Sequence, residues 1–333
     1  MEGAGEVPSA RWRHTAVSDG GRLIVFGGFN SPHVRLNDLY VLDVKTLTWT
    51  QQGNPAAAKE RRKKKTAAGP TGRGEEASKA AAGGASGGVL DMSGFDADIT
   101  VIPVAANTSP EAPSPRGGHA AALVGRFMWV FGGYGGAGYQ RTDFNDLYSF
   151  DVDTMSWNPL VEVTGTVPAR RSGHTMFAVR STLMVYGGWN SSECFDDLHT
   201  FDTASNVWSS VDSGAYGVPR WNHCGFAIEA VPNWQVVVFG GNVKKADGDP
   251  SGRSQGDYSN ELLVLDTGRM RWSPLEGEGV PPKVRSDASM VYDKDQKRLV
   301  VFGGFSNRWF NDCSVLNVAR YVVVLRCGCA CVQ

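Results

Sequence analysis

One pattern limits what this chain can fold into more than any other: four apolar residues followed by two glycines, written five times. The copies are Leu23-Ile24-Val25-Phe26-Gly27-Gly28, Met128-Trp129-Val130-Phe131-Gly132-Gly133, Leu183-Met184-Val185-Tyr186-Gly187-Gly188, Val236-Val237-Val238-Phe239-Gly240-Gly241 and Leu299-Val300-Val301-Phe302-Gly303-Gly304. Each copy is one structural unit, and the architecture follows from how such units stack. An apolar run without polar alternation, rich in valine and aromatics, predicts a short strand buried on both faces. The glycines end it, because a residue without a side chain takes positive φ and lets neighbouring backbone approach.

Every run keeps the same neighbours. After a loop of variable length comes Asn37-Asp38-Leu39-Tyr40-Val41-Leu42-Asp43, with counterparts starting at Asn145, Asp196, Asn260 and Asn311. Six residues past the closing Asp stands a tryptophan, at Trp49, Trp157, Trp208 and Trp272, where the fifth copy has Val323. Ahead of each run lies Arg-x-x-His, as Arg11 to His14, Arg116 to His119, Arg171 to His174 and Arg220 to His223; the fifth copy keeps Arg285 and has Ala288 in place of the histidine. One unit therefore reads as four strands: a from the His, b into Gly-Gly, c through the Leu-Tyr stretch and d from the Trp.

These marks resemble the kelch repeat, over about residues 8 to 320. The Tyr of strand c is present only as Tyr40 and Tyr148, and the last copy lacks both Tyr and Trp. The resemblance implies an all-β, kelch-type β-propeller with five recognisable four-stranded blades, a sixth being absent or lost. Physics leads to the same fold. A small sheet apolar on both faces must pack against its neighbours, and a radial arrangement keeps its edges short and protected.

The blades are placed at 10–52, 115–161, 168–211, 219–275 and, degenerate, 281–326, in one domain. Residues 53–114 fall outside the repeat. Their Ala/Gly/Ser-rich, apolar-poor sequence predicts a disordered insert in the first inter-blade loop, with a short strand at most at Ile99 to Val104. The distance from Gly28 to Gly133 is 105 residues, against 55, 53 and 63 for the other spacings, yet the insert holds neither an apolar run before a glycine pair nor a Trp. It is no hidden blade. Tyr321 to Arg326 offers a fourth strand for blade five, and the tail 327–333 with Cys327, Cys329 and Cys331 fits no part of the repeat.

Composition excludes several classes of function. A formal net charge of −1 carries no general footprint for nucleic acid. No stretch resembles a secretory signal or a membrane span, and the remaining cysteines, Cys194, Cys224 and Cys313, are scattered singly. The expectation is a cytoplasmic protein, with nuclear entry open through the basic run Lys59 to Lys65.

If strand a leaves one side of the disc, the Arg-x-x-His entries, the b–c loops and the d–a loops share that side. It carries both long insertions, 53–114 and 242–259. The expected binding face comprises Arg11, His14, Arg116, His119, Arg171, His174, Arg220, His223 and Arg285, with Asn30, Tyr134, Trp189, Asn190, Asn242 and Asn307 just past the glycine pairs. Arginine, aromatic and amide groups around a bowl suit a protein partner, for instance an acidic peptide motif. The competing reading makes Arg-x-x-His a hydrogen-bonding device between blades. Histidines on four different blades give no metal-ligand spacing, so no cofactor and no enzymatic activity are expected. The resemblance implies an interaction scaffold of a cytoskeletal, ciliary or ubiquitin-ligase setting, and its alternative is a kelch-type metal enzyme or specifier protein with a site in the central channel.

Overall fold

The computed structural model describes residues 4–52, 111–136, 140–159, 162–214, 216–230, 232–244, 257–277 and 279–318, and every regular element among them is a strand. The expectations for the insert as far as residue 110, for Ile99 to Val104, for most of the 242–259 loop, for Tyr321 to Arg326 and for the cysteine tail lie outside the described residues.

Five blade sheets follow one another along the chain, and two small sheets accompany them, one of Tyr134–Gly135 with Thr142–Asp143 and one of Arg220–Trp221, Asn242–Val243 and Asp257–Tyr258. Blade one has strands a Thr15–Ser18, b Arg22–Ser31, c Val34–Asp43 and d Thr48–Gln52. In blade two they are Ala120–Val124, Phe127–Phe131, Leu147–Asp151 and Ser156–Trp157. Blade three has Thr175–Val179, Thr182–Tyr186, Leu198–Asp202 and Val207–Val211, and blade four Cys224–Ile228, Gln235–Phe239, Leu262–Asp266 and Arg271–Pro274. Blade five shows a, b and c, Ser289–Asp293, Arg298–Phe302 and Cys313–Asn317. Within each sheet these strands lie antiparallel in the order a-b-c-d.

Two blades carry a fifth strand. Ala4–Gly5 runs parallel to Thr48–Trp49, and Thr164–Gly165 parallel to Val207–Trp208. Both come from the Gly-x-Val-Pro segments that lead into Arg11 and Arg171. They cover the outer edge of a sheet that strand d would otherwise leave open.

The a strands of successive blades approach one another, so they form the hub. There the residue before each His, or before Ala288, takes positive φ: Arg13, Gly118, Gly173, Asn222 and Asp287. Their backbones hand on one hydrogen bond per blade. Gly118 N–H donates to Arg13 carbonyl, Gly173 to Gly118, Asn222 to Gly173 and Asp287 to Asn222, at 2.7–2.9 Å.

Apolar side chains meet between blades, one core per junction. Val17, Ile24 and Phe26 of blade one face Met128, Val130, Phe150 and Trp157 of blade two, and the same arrangement recurs between blades two and three, three and four, and four and five. In blades two, three and four the strand-d Trp packs on the strand-b aromatic of the preceding blade, Trp157 on Phe26 at 5.0 Å, Trp208 on Phe131 at 5.1 Å and Trp272 on Tyr186 at 4.5 Å. Burying such a ring stabilises by about 2–3 kcal/mol.

Candidate functional site

The repeated Arg-x-x-His is built into the scaffold. Arg116, Arg171, Arg220 and Arg285 are 0% exposed, and the Arg11 side chain is buried as well. Each guanidinium donates to the carbonyl of the first glycine of its own blade, Gly27, Gly132, Gly187, Gly240 or Gly303, at 2.8–3.1 Å. It also grips the acid of the c-strand motif: Asp38, Asp146, Asp197 and Asp312 in two-point contacts of 2.5–3.1 Å, and Glu261 at 2.7 Å. The arginine backbone meanwhile belongs to the junction. Arg116 N–H donates to Leu36 carbonyl of blade one, while Arg116 carbonyl accepts from Gly28 N–H; Arg171, Arg220 and Arg285 repeat both bonds. One residue thus ties strands b and c of its own blade and docks that blade on the one before.

The expectation that these arginine side chains face a partner is corrected accordingly. A carboxylate and a carbonyl take up the donors, and burying the guanidinium is tolerable only because they do. The sequence signal for this was on hand in the acid, Asp or Glu, that stands second in all five c-strand motifs.

The histidines His119, His174 and His223 are also buried in junctions. His119 Nε2 lies 2.8 Å from Thr15 Oγ1, and His223 Nε2 lies 2.8 Å from Thr175 Oγ1, each threonine on the preceding blade. His174 meets Ala120 at the corresponding position, and neither of its ring nitrogens has a hydrogen-bond partner. Burial pushes all three well below the usual histidine value, His174 to about 3, so they are neutral at physiological pH. A Cβ on the first glycine of the pair would come within 3.0 Å of the next blade's imidazole at Gly27, Gly132 and Gly187, which is why that position excludes a side chain. His14, with no described blade ahead of it, is exposed. Among the described residues no three His, Cys, Asp or Glu side chains gather closely enough to hold a metal ion.

What the face does present comes from the positions that vary between copies. Residues entering strand a bridge to residues just past the glycine pairs: Trp12 to Phe29, Gly117 to Tyr134, Ser172 to Trp189, Trp221 to Asn242 and Ser286 to Phe305. The entries and post-glycine loops therefore share one side, and there the aromatics touch within blade one and across the junctions of blades one and two and of blades three and four. Trp12 lies 5.8 Å from Phe29, Phe29 5.0 Å from Tyr134, and Trp189 5.9 Å from Trp221. Cations bridge the gaps. Arg13 donates to Tyr134 Oη at 3.1 Å, and Arg141 sits 3.9 Å from the Tyr134 ring and 4.6 Å from that of Trp189. Asp143 and Ser172 fix Arg141 in that slot.

Of the remaining expected site residues, Tyr134 and Trp189 belong to this row. Asn30 is half-buried with its Oδ1 unpartnered, and Asn190 Oδ1 accepts from the Ser192 and Glu193 N–H groups at 2.8 Å. Asn242 is buried in a small sheet with Trp221 and Tyr258, and Asn307 is exposed. Trp12, Arg13, Arg141 and Trp221 were missed, because attention to what repeats passes over what differs.

Five sheets joined hub to hub, with entry segments and loops crowded on one side, define a β-propeller that carries its variable residues on a single face. Residues 89–241 match the model described as the KLHDC2/KLHL20/DRC7 Kelch-repeats domain, and residues 10–55 match the Kelch motif. The chain belongs to the kelch-repeat family. It is similar to Acyl-CoA-binding domain-containing protein 4 of Arabidopsis thaliana, 29% identical over 327 residues that cover 94% of this chain and 46% of the relative. The flagellar outer-arm dynein alpha chain of Chlamydomonas reinhardtii is 27% identical over 95% of this chain and 6% of its own length. Kelch domain-containing protein 3 of Bos taurus is 30% identical over 64% of this chain and 54% of the relative. The chain thus spans about half or less of the length of these relatives.

Proposed function

We propose that this protein is a non-enzymatic interaction scaffold whose loop-bearing face receives a protein partner through an acidic segment. The observation that carries this reading is the row Trp12, Tyr134, Arg141, Trp189 and Trp221, which crosses the first four blades with the buried Phe29 packed beneath its first two members. Tyrosine, tryptophan and arginine are the residues that anchor protein interfaces, since they offer large, stiff, amphipathic surface at low entropic cost. Arg13 adds the charge that draws carboxylates, while Arg141, paired with Asp143, holds the flanking rings in place. The family supports the reading, as kelch propellers generally bind protein partners. So does the part the matched region plays in longer relatives, among them a flagellar dynein chain, where it is one portion of a larger protein.

An Asp/Glu-rich peptide library tests it. Binding of selected peptides should weaken at least tenfold in Trp189→Ala and in Arg13→Glu. It should be unchanged in Arg269→Glu, which sits in an exposed c–d turn on the other side of the disc. Equal binding by all three variants would count against the face.

A further inference from the structure

Where each entry segment turns from the face into strand a stands one residue per blade: Arg13, Gly118, Gly173, Asn222 and Asp287. Each directly follows the residue that bridges to the post-glycine loop, and all five share a positive φ of 53–64° and one ladder of hub hydrogen bonds. The same backbone in the same place sends its substituent the same way, so these residues form a collar around the hub on the face side. Two of its five positions carry no side chain. A Cβ on Gly173 would come within 2.5 Å of Asn222 Oδ1, so the glycine is what lets Asn222 lean over the neighbouring blade.

The collar is therefore unlike at the two ends of the ladder. Arg13, at the first end, reaches into blade two, where its guanidinium donates to Tyr134 Oη at 3.1 Å and lies 5.9 Å from that ring; among the described residues it has no ion pair. Asp287, at the last end, is exposed. Its Oδ2 accepts from Ser286 Oγ at 2.7 Å and from Asn222 Nδ2 at 3.5 Å, and among the described residues no cation pairs with it. Tyr258 stands close by: burial raises its phenol above the usual value, and the charge of Asp287 raises it further. Each end thus sets one charge beside a tyrosine. The aromatic row joins them, because the small sheet that pairs Trp221 with Asn242 also pairs Asn242 with Tyr258. The described cations of blades four and five on this side stand apart from the collar: Lys244 N–H donates to Pro219 carbonyl in the entry segment, and Lys283 and Arg308 line a cavity beside Asn260 and Pro282.

We propose that the collar gives the face a fixed charge order: the partner segment received there carries an acidic residue that meets Arg13 and Tyr134 Oη, apolar or aromatic residues over the row, and a basic residue that meets Asp287. This rests on the docking role proposed for the face and adds the partner's second charge. Complementarity carries it, since covering either collar charge on docking is unfavourable unless an opposite charge meets it. A segment acidic throughout presses a carboxylate on Asp287, and that repulsion is how the face rejects it.

The test selects displayed peptides on the intact protein from three libraries that share spacings and chain orders: one with an acidic and a basic position, one acidic at both, and one basic at both. The wild type should enrich the mixed library at least tenfold over the doubly acidic one. Asp287→Asn, which keeps the side-chain shape and suits a positive φ, should remove that preference and so reads the charge alone; Asp287→Lys should invert it. Arg13→Glu should turn the selection towards the doubly basic library. Unchanged selection in both Asp287 variants, with altered selection in Arg13→Glu, would overturn the charge order and leave the docking role of the face standing. Unchanged selection in all three variants, or no enrichment by the wild type, would overturn both.

Discussion

The junction of blades two and three and the outward face of blade five are made from the same strand positions and end differently. Phe131 closes strand b of blade two and is 0% exposed beneath Trp208 and His174; Phe302 closes strand b of blade five and is 55% exposed, with Val291 at 56% and Val315 at 55% on the same face. Gly133 N–H and Phe144 carbonyl bond to the backbone of Arg171, whereas the equivalent Gly304 N–H and Phe310 carbonyl meet no such arginine among the described residues. The lesson is that a kelch blade does not bury its own apolar residues. Burial is a property of pairs of blades, which makes stability close to a sum over junctions.

Substitutions at matched positions put that to the test. Trp208→Ala removes a ring that is 1% exposed and should cost about 3–5 kcal/mol in chemical denaturation, while Phe302→Ala should change stability by about 0.5 kcal/mol or less. Similar losses at the two sites would show that blade five is covered after all. Arg171→Ala comes next, at about 2–3 kcal/mol, because it strips Asp197 and the Gly187 carbonyl of their partner inside blade three, while the backbone bonds of residue 171 to blade two are kept.

Acid should attack the junctions before it attacks the face. His174 is neutral in the fold, with its value lowered to about 3, but protonates near pH 6.5 in the unfolded chain. Between those values the unfolded state holds the extra proton, so stability is full above about pH 6.5 and is lost as pH falls, by about 1.4 kcal/mol per pH unit for such a group. His119 and His223 act in the same direction. Denaturation midpoints measured from pH 7 to pH 5 should therefore fall, and His174→Gln should flatten the slope. A small gain sharpens the comparison of the histidines with one another. Ala120→Thr would give His174 the hydroxyl that His119 and His223 already have, and should stabilise by about 1 kcal/mol. No gain would mean that the hydroxyl is incidental to the junction.

Much of this was legible in the chain itself. Strand b, its glycine stop and the Trp that opens strand d were readable because each rests on local chemistry: apolar side chains, positive φ and ring size. The face was legible as a place, since strand count alone puts the Arg-x-x-His entries and post-glycine residues on one side. Its contents were not. Arg116 and Arg171 could be read as ligands for a partner or as a hydrogen-bonding device between blades, and only the structure shows their own blade supplying Asp146 and Asp197. Arg141, in a loop with no repeat signature, turned out to sit between Tyr134 and Trp189 of neighbouring blades.

By itself, then, the sequence determined the unit, its strand order and the apolar residues each unit must hide, since these follow from periodicity and from what glycine and tryptophan can do locally. Only the tertiary structure decided which arginines are buried and which are displayed, and which rings of neighbouring blades meet on the face. The reason is physical: each depends on what the adjacent blade brings within hydrogen-bonding or van der Waals reach, across sequence separations that no single repeat records.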